Sequence, residues 1–314
     1  MEWDRSMAEL GQLLLVGVVT GSLYALIAIG YTMVYGIIEL INFAHGDLFM
    51  LGSFFALQLV AWLTLAGLVV APLTAGGWLA ILLMLIAAPL FCAALNVGVD
   101  RIIYKPLRTA PKLSGIVSAI GVSFVFMNIG VFWLGPTDQN FPGLLGDENL
   151  LGEDSPIRVR IKDLLVIGVT IPIMIALTLF VRGTTIGKAM RATAQNPTAA
   201  ALMGINVDRV IAATFAIGGA LAGFAAVVYG LFFNTVGYQM GFRNGVYAFT
   251  AAVLGGIGNI PGAVLGGILI GVIRQLASGY GQEKWSDTII FAILITLLIF
   301  RPNGLLGARI REKV

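Results

Sequence analysis

Residues 37–52 read IIELINFAHGDLFMLG and place polar side chains between two long apolar runs, residues 10–38 and 47–70. Four polar or ionisable residues fall within this first break: Glu39, Asn42, His45 and Asp47. The upstream run is longer than the roughly 20 apolar residues that cross a bilayer. The pattern therefore predicts a membrane-spanning helix, an interruption, and a second helix that follows it.

The composition extends this membrane setting to the whole chain. Of the 314 residues, 58% are hydrophobic and 11% are charged, and the mean hydropathy is +0.94. A soluble domain of this length could not bury so much apolar surface, which predicts an all-α polytopic membrane protein. We expect a single transmembrane domain over residues 1–314, with residues 10–38 retained as its first span. The lone Cys92 argues against a disulfide framework, and no basic-aromatic pattern suggests nucleic-acid binding.

Apolar runs of spanning length predict about eight or nine transmembrane helices, including two interrupted ones. The candidate spans are residues 10–38, 47–70, 78–99, 113–134, 163–181, 209–233, 246–257, 262–279 and 287–301. Basic loops at 100–112, at 182–209 and from 301 onward are placed in the cytoplasm by the positive-inside rule, together with the C-terminus. The acidic loop 135–162 is then extracytoplasmic. Two crossings within residues 10–70 put the N-terminus outside, and three crossings put it inside.

A second break lies in residues 254–262, which read LGGIGNIPG. In this topology residues 246–279 begin and end on the outer side, so one continuous helix would finish on the wrong side. A Gly/Pro-interrupted helix is tolerated at membrane depth where protein or water satisfies its backbone. The candidate residues for the break, or for lining a solute path, are Gly256, Gly258, Asn259 and Pro261. We hypothesise that the two breaks correspond to each other in two structural repeats.

The polar groups of the first break admit three interpretations: they line the path, they hold the break together, or they lie at the solvated cytoplasmic surface. In the second interpretation Asn42 or Asp47 caps a helix that starts near Gly46. His45 then donates a ring N–H to a carbonyl or to Glu39. A metal site is disfavoured, because His45 is the only strong nitrogen ligand.

Small residues spaced four apart predict close helix packing in several spans. The pairs are Gly17/Gly21, Gly219/Gly223, Gly262/Gly266 and Gly267/Gly271. The last two pairs could instead serve an interface with a second subunit. Asn96, within its span, is expected to hydrogen-bond between helices.

The basic loop 182–208 contains signals for two short helices. Thr184–Ala194 is rich in helix formers, Asn196 is typical of an N-cap, Pro197 of the first helical position, and Gly204 of a residue just past a helix end. The loop is interpreted either as a docking surface for a cytoplasmic partner or as an ordinary loop whose charges set orientation. Its GTTIGK stretch lacks the spacing of a phosphate-binding loop, so any ATP chemistry must come from another polypeptide.

Three stretches together resemble the permease subunits of branched-chain amino acid ABC importers of the LivH type. They are GSLYALIAIGYTMVYGIIELINFAHGDLFMLGSF (21–54), GKAMRATAQNPTAAALMGINVDRVIAATFAIGGALAG (187–223) and AFTAAVLGGIGNIPGAVLGGILIG (248–271). The resemblance implies a bacterial plasma (inner) membrane permease domain that pairs with a second homologous permease. It also implies two cytoplasmic ATPases that bind ATP and Mg²⁺, none being bound by this chain, and an extracytoplasmic solute-binding protein.

The resemblance further implies that residues 187–204 couple the permease to its ATPases. The coupling candidates are Gly187, Lys188, Arg191, Asn196, Pro197 and Gly204. The leading hypothesis is import of leucine, isoleucine or valine by a subunit that is not itself an enzyme. Urea, short amides and other neutral amino acids are alternative cargoes. An ion-coupled transporter with a Glu39, His45 and Asp47 relay, or a passive channel, ranks lower, and an intramembrane enzyme ranks last.

Overall fold

The computed structural model describes residues 2–69, 73–108, 110–153 and 155–307. Asp154 and the basic tail residues Arg309, Arg311 and Lys313 lie outside the described residues, as does the side chain of Lys112. The described chain folds into helices and two short strands. The helices are α1 Glu2–Ile38, α2 Ala44–Leu65, α3 Ala75–Val99, α4 Lys112–Leu134, α5 Ile161–Gly183, α6 Thr185–Gln195, α7 Pro197–Leu202, α8 Val207–Phe233, α9 Met240–Gly255, α10 Ile260–Gly279 and α11 Ser286–Phe300.

Four smaller elements complete the described structure. A π-helix, Asp100–Tyr104, continues α3, and a 3₁₀ turn, Glu283–Trp285, precedes α11. The strands β1 Gln139–Asn140 and β2 Thr235–Val236 pair antiparallel.

The predicted all-α polytopic membrane fold is confirmed. Within the described ranges, seven helices are long and apolar enough to cross a membrane: α1, α2, α3 with its π-helical continuation, α4, α5, α8 and α10. Helices α9 and α11 have 16 and 15 residues and overlap the predicted spans 246–257 and 287–301, although α9 begins six residues before its predicted span. At 1.5 Å per residue α9 is about 24 Å long, shorter than a bilayer core. One limb of the second break is therefore short, as the topology required.

Helices α1 and α10 form the tightest pair in the bundle. They run antiparallel, since Gly17 faces Val272 and Gly21 faces Ile268. A Cβ on Gly21 would lie 2.6 Å from the Cα of Ile268, so only glycine lets the two backbones approach this closely. Gly271 packs against Gly21 from the other side.

The other glycine pairs also pack within this chain. Gly219 and Gly223 of α8 face the backbone of α3, whereas Gly262 and Gly266 hold α10 against the end of α9. The prediction of close packing is confirmed. The alternative that Gly262/Gly266 and Gly267/Gly271 serve a subunit interface is wrong, because α9 and α1 of the same chain occupy those surfaces.

The start of α2 lies deep in the bundle. Residues 10–65 form two long helices, which agrees with the version that has two crossings. After α1 ends, the chain turns back so that His45 faces Gly30, about two helical turns before the end of α1. Helix α2 then runs alongside α4 in the same direction, with Asp47 opposite Ser123 and Met50 opposite Gly130.

Replacing Gly21 by alanine tests the α1–α10 contact. The added methyl group meets backbone atoms that have no rotamer to change, so Gly21→Ala is expected to destabilise the fold by about 1–3 kcal/mol. The measurement is the thermal unfolding midpoint of the purified protein in detergent. Gly168→Ala in α5 is the matched control, because no atom lies within 4 Å of its added Cβ. Equal midpoints for the two variants would contradict the packing argument.

Candidate functional site

The first break comprises residues 39–43, between the end of α1 and the start of α2. Glu39 is exposed and adopts a left-handed backbone with φ +55°. Helix α2 begins at Ala44, earlier than the expected Gly46, with Phe43 at the N-cap and no side-chain capping hydrogen bond. The predicted capping by Asn42 or Asp47 is therefore wrong, because neither residue occupies the N-cap position.

Asn42 instead ties the break to the interior of the bundle. Its side-chain amide donates to Oδ1 of Asn96 at 3.4 Å, and its Oδ1 accepts from the Tyr104 hydroxyl at 3.0 Å. Asn96 in turn donates to the Phe215 carbonyl of α8 at 2.7 Å, which confirms its predicted role between helices. Four parts of the chain thus meet at one buried polar cluster, where unsatisfied groups would be costly.

Asp47 lies in the first turn of α2 and is 1% exposed. The Ser123 hydroxyl of α4 donates to its Oδ2, while its Oδ1 has no hydrogen-bond partner among the described residues and faces Gly241. A carboxylate in the first helical turn is stabilised by the helix dipole. Asp47 therefore links the start of α2 to α4 and to the start of α9.

His45 is packed rather than hydrogen-bonded. Its ring stands edge-on to Tyr31, with centroids 4.7 Å apart, and lies against Gly30. The Ile27 backbone lies beside the ring, but among the described residues neither ring nitrogen has a partner in good hydrogen-bonding geometry. The predicted donation to Glu39 is wrong, because His45 is buried among helices whereas Glu39 is exposed. The predicted donation to a carbonyl stays a prediction, with the Ile27 backbone as its neighbouring acceptor.

The second break follows the sequence prediction closely. Helix α9 ends at Gly255, and Gly256 and Gly258 take φ values of +106° and +90°, which residues other than glycine adopt only with strain. Asn259 caps α10 by accepting from the Gly262 N–H at 3.2 Å, and Pro261 occupies its first turn. The capping interpretation of Asn259 is confirmed.

A segment that the sequence analysis treated only as a basic tail completes this break. Residues 301–307 fold back onto the end of α9, where the Leu305 and Leu306 N–H groups donate to the carbonyls of Leu254 and Gly255 at 2.9 and 3.0 Å. The Asn259 side-chain amide donates to the Leu306 carbonyl at 2.6 Å. These bonds satisfy carbonyls that a helix end leaves without intrahelical partners.

The basic loop forms the predicted helical hairpin, α6 and α7. Asn196 caps α7 by accepting from the Ala199 N–H at 3.0 Å, with Pro197 in the first helical turn. Gly204 follows at φ +84°, and its N–H and that of Ile205 bond back to α7 in a Schellman motif. Gly187 packs on the end of α5, Lys188 is exposed, and Arg191 donates to the Val181 carbonyl.

Cavities follow one face of α9 between the two breaks. The middle cavity, of about 400 Å³, is walled by the apolar side chains of Phe43, Ile120, Phe124, Phe242, Val246 and Phe249. Among the described residues that line it, only Tyr31 and Ser123 carry polar side chains. Tyr35, Ile41 and Ile257 form a narrow point beyond Phe249.

Past this narrow point, an inner cavity of about 510 Å³ reaches the second break and the hairpin. Gly258, Asn259, Pro261, Asn303 and Arg191 all line it. The structure therefore brings together one predicted break and one predicted coupling residue. The polar side chains of the first break do not line the middle cavity or the narrow point, whereas Phe43 and Ile41 of that break do.

Comparison with known proteins agrees with this arrangement. A family model described as branched-chain amino acid transport system / permease component matches residues 13–298. The chain belongs to this permease family. It is 41% identical over 300 residues to the high-affinity branched-chain amino acid transport system permease protein LivH of Escherichia coli K12, covering 95% of this chain and 96% of the relative.

Two further relatives are also branched-chain amino acid transport system permease proteins. It is 41% identical over 305 residues to BraD of Pseudomonas aeruginosa, a high-affinity branched-chain amino acid transport system permease protein, covering 96% of this chain and 97% of the relative. It is 25% identical over 306 residues to LivM of Salmonella typhimurium, covering 90% and 68%. No solved structure matches the chain.

The sequence analysis missed several residues of the permease's breaks and hairpin. Tyr104 and Ser123 hold the first break, and no local pattern around either residue indicates it. The Asn303–Gly304 pair is a turn signal that could have suggested the returning segment. On the hairpin, Leu202 and Met203 are 84% and 83% exposed, an apolar tip that the basic character of the loop concealed.

Replacing Asn259 by aspartate separates its two roles. Aspartate keeps an oxygen for the Gly262 N–H but cannot donate to the Leu306 carbonyl, so residues 301–307 lose one anchor worth about 1 kcal/mol. Several-fold faster hydrogen exchange is expected at the Leu305 and Leu306 amides.

Asn206→Asp is the matched control, because Asn206 caps α8 through its oxygen in the same way, from the Arg209 N–H. Hydrogen exchange measured by mass spectrometry on segment 301–307 should remain unchanged in that variant. Unchanged exchange in Asn259→Asp as well would show that the segment does not depend on this bond.

Proposed function

We propose that this permease moves neutral, largely apolar amino acids such as leucine, isoleucine and valine into the cytoplasm as one subunit of an ATP-driven importer. The observation that carries the proposal is the apolar cavity beside α9. An aliphatic side chain gains roughly 25 cal/mol for each Å² that leaves water for such a wall. Relatives that are 41% identical are high-affinity branched-chain amino acid transport permeases, which supports the same cargo class.

A second, homologous permease is proposed as the opposite wall of the path. Phe124 and Phe242 border the middle cavity and are 57% and 65% exposed, so the cavity lies at the surface of this chain, where a second subunit would close it. The 25% identity to LivM supports a partner of related sequence. The pair would then enclose the cavities between two α9 helices.

The remaining partners follow from the same proposal. Two cytoplasmic ATPases, which bind ATP and Mg²⁺, dock on loop 182–208, and an extracytoplasmic solute-binding protein delivers cargo on the side of loop 135–162. The basic loops support a bacterial plasma membrane orientation with the C-terminus in the cytoplasm. The exposed apolar tip at Leu202 and Met203 supports docking at the hairpin.

The inner cavity suggests how the ATPases act on the path. Arg191 of α6 and Asn259 of the second break line the same cavity, and Arg191 also binds the end of α5. A movement of the hairpin can therefore be transmitted directly to the second break and to residues 301–307. We propose that ATP-driven closure of the ATPases moves α6 and α7 and alternately opens the two ends of the path.

Purification of the tagged permease from its native membrane tests whether it is a subunit of an ATP-driven importer. Recovery of a second permease and of ATPases that carry a phosphate-binding lysine loop is expected. Reconstituted with the solute-binding protein, the complex should hydrolyse ATP faster with leucine than with urea or acetamide. Recovery of the chain alone would contradict the importer, and stimulation by urea or acetamide alone would assign the alternative cargo.

Replacing Gly204 by proline tests the coupling role of the hairpin. Proline cannot adopt φ +84° and has no N–H for the Ala201 carbonyl, so the end of α7 is expected to distort. Leucine uptake should fall at least about tenfold while ATP hydrolysis continues without leucine stimulation. This loss corresponds to about 1.4 kcal/mol of coupling.

Gly281→Pro provides the matched control. Gly281 also has a positive φ, +74°, and also donates to a carbonyl three residues earlier, but it lies after α10 and away from the hairpin. Uptake and ATP hydrolysis are measured in proteoliposomes that contain the whole complex. Normal coupled uptake in Gly204→Pro would count against the proposed coupling element.

A further inference from the structure

A third cavity, of about 860 Å³, lies at the end of α9 opposite the second break. It shares Phe242 and Val246 with the apolar middle cavity, so the two lie next to each other along α9. Unlike the middle cavity, it is lined by charges of both signs. These residues are Asp138, Arg243 and Asp287. We call it the charged cavity.

The Asp287 carboxylate is held in place by a chain of side chains beneath it. The Tyr247 hydroxyl donates to its Oδ1 at 2.5 Å, and the guanidinium of Arg274 lies over the Tyr247 ring, 4.7 Å from the centroid. Arg274 also donates to the Tyr24 hydroxyl of α1. Placing an arginine within a membrane span costs free energy unless its guanidinium has partners. Here Arg274 has the Tyr24 hydroxyl and the Tyr247 ring as partners, and it fixes Tyr247, which orients Asp287.

Arg243 presents the opposite charge to the same space. It lies one helical turn before Tyr247 on α9, so both side chains face the charged cavity. Among the ion pairs of the described residues, none involves Arg243 or Asp287. A guanidinium and an oriented carboxylate therefore line one cavity without forming an ion pair with each other, and Asp287 keeps a second carboxylate oxygen besides the one that accepts from Tyr247.

We infer that the charged cavity receives the zwitterionic backbone of the cargo, with Arg243 binding the α-carboxylate and Asp287 the α-ammonium group. The cargo's side chain then lies toward Phe242 and Val246, at the entrance to the apolar cavity. Guanidinium and carboxylate form paired, charge-assisted hydrogen bonds, and a few well-placed polar groups in an apolar pocket set specificity. The inference rests on the proposed function and assigns specificity-determining residues to it.

A binding assay without the solute-binding protein tests this assignment. The complete permease–ATPase complex is placed in nanodiscs, and radiolabelled L-leucine is displaced by 4-methylpentanoate, which lacks the ammonium group, or by 3-methylbutylamine, which lacks the carboxylate. Arg243→Gln is expected to raise the Kd for leucine at least about tenfold while the affinity for 3-methylbutylamine is retained. Asp287→Asn should give the converse, with the affinity for 4-methylpentanoate retained.

Two further variants serve as a conservative replacement and as a control in this assay. Arg243→Lys conserves the charge but not the planar fork, so it should lose less affinity than Arg243→Gln and serves if the glutamine variant fails to assemble. Lys284→Gln removes an exposed charge that lies just before α11 and outside the cavity lining, and should leave leucine binding unchanged.

The outcomes separate this inference from the proposed cargo. Wild-type complex that takes up leucine with the solute-binding protein, but binds leucine equally in Arg243→Gln and Asp287→Asn, would overturn the inference alone. The same holds if these variants impair only uptake that depends on the solute-binding protein, since the charges would then serve protein docking. Wild-type complex that takes up no leucine would overturn the proposed cargo as well.

Discussion

The helix breaks of this permease depend on one constraint: backbone hydrogen-bonding groups inside an apolar bundle need partners that the interrupted helices cannot provide. At the second break these partners come from Asn259 and from residues 301–307, which return to the end of α9. At the first break, Asn42 joins a buried polar cluster contributed by α3, the π-helix and α8. In both places the interruption is stable only because distant parts of the chain complete it.

Glycine packing provides the rigid frame around these breaks. Helix α10 is fixed along α1 through Gly21 and Gly271, and α8 is fixed along α3 through Gly219 and Gly223. Helix α9 differs, because one of its faces lines cavities for much of its length. The frame therefore contacts both ends of α9, at Asp47 and at residues 301–307, while the face between them lines the cavities.

Local signals made much of this architecture predictable. The spans, the break at 254–262, the cap at Asn259 and the Asn196–Pro197 start of α7 each depend on residues close together in sequence, so their patterns sufficed. The errors lie where the partner is far away. Asn42 and Asp47 were expected to cap their own helix, but they bind Asn96 and Ser123, which no single-sequence pattern connects to them.

The structure favours a structural role for the buried polar groups of the first break over a role in lining the path. Asn42, His45 and Asp47 are buried among helices, and the cavity beside them is left to phenylalanine and aliphatic side chains. Fixed charges line the cavity at the start of α9, and arginines line the one at its far end. In the proposed path, a middle section without charge suits an aliphatic side chain, which needs no counter-ion. The buried polar residues of the first break therefore serve the structure where the chain is broken, and our proposal assigns selectivity to the apolar walls and to the charges at the start of α9.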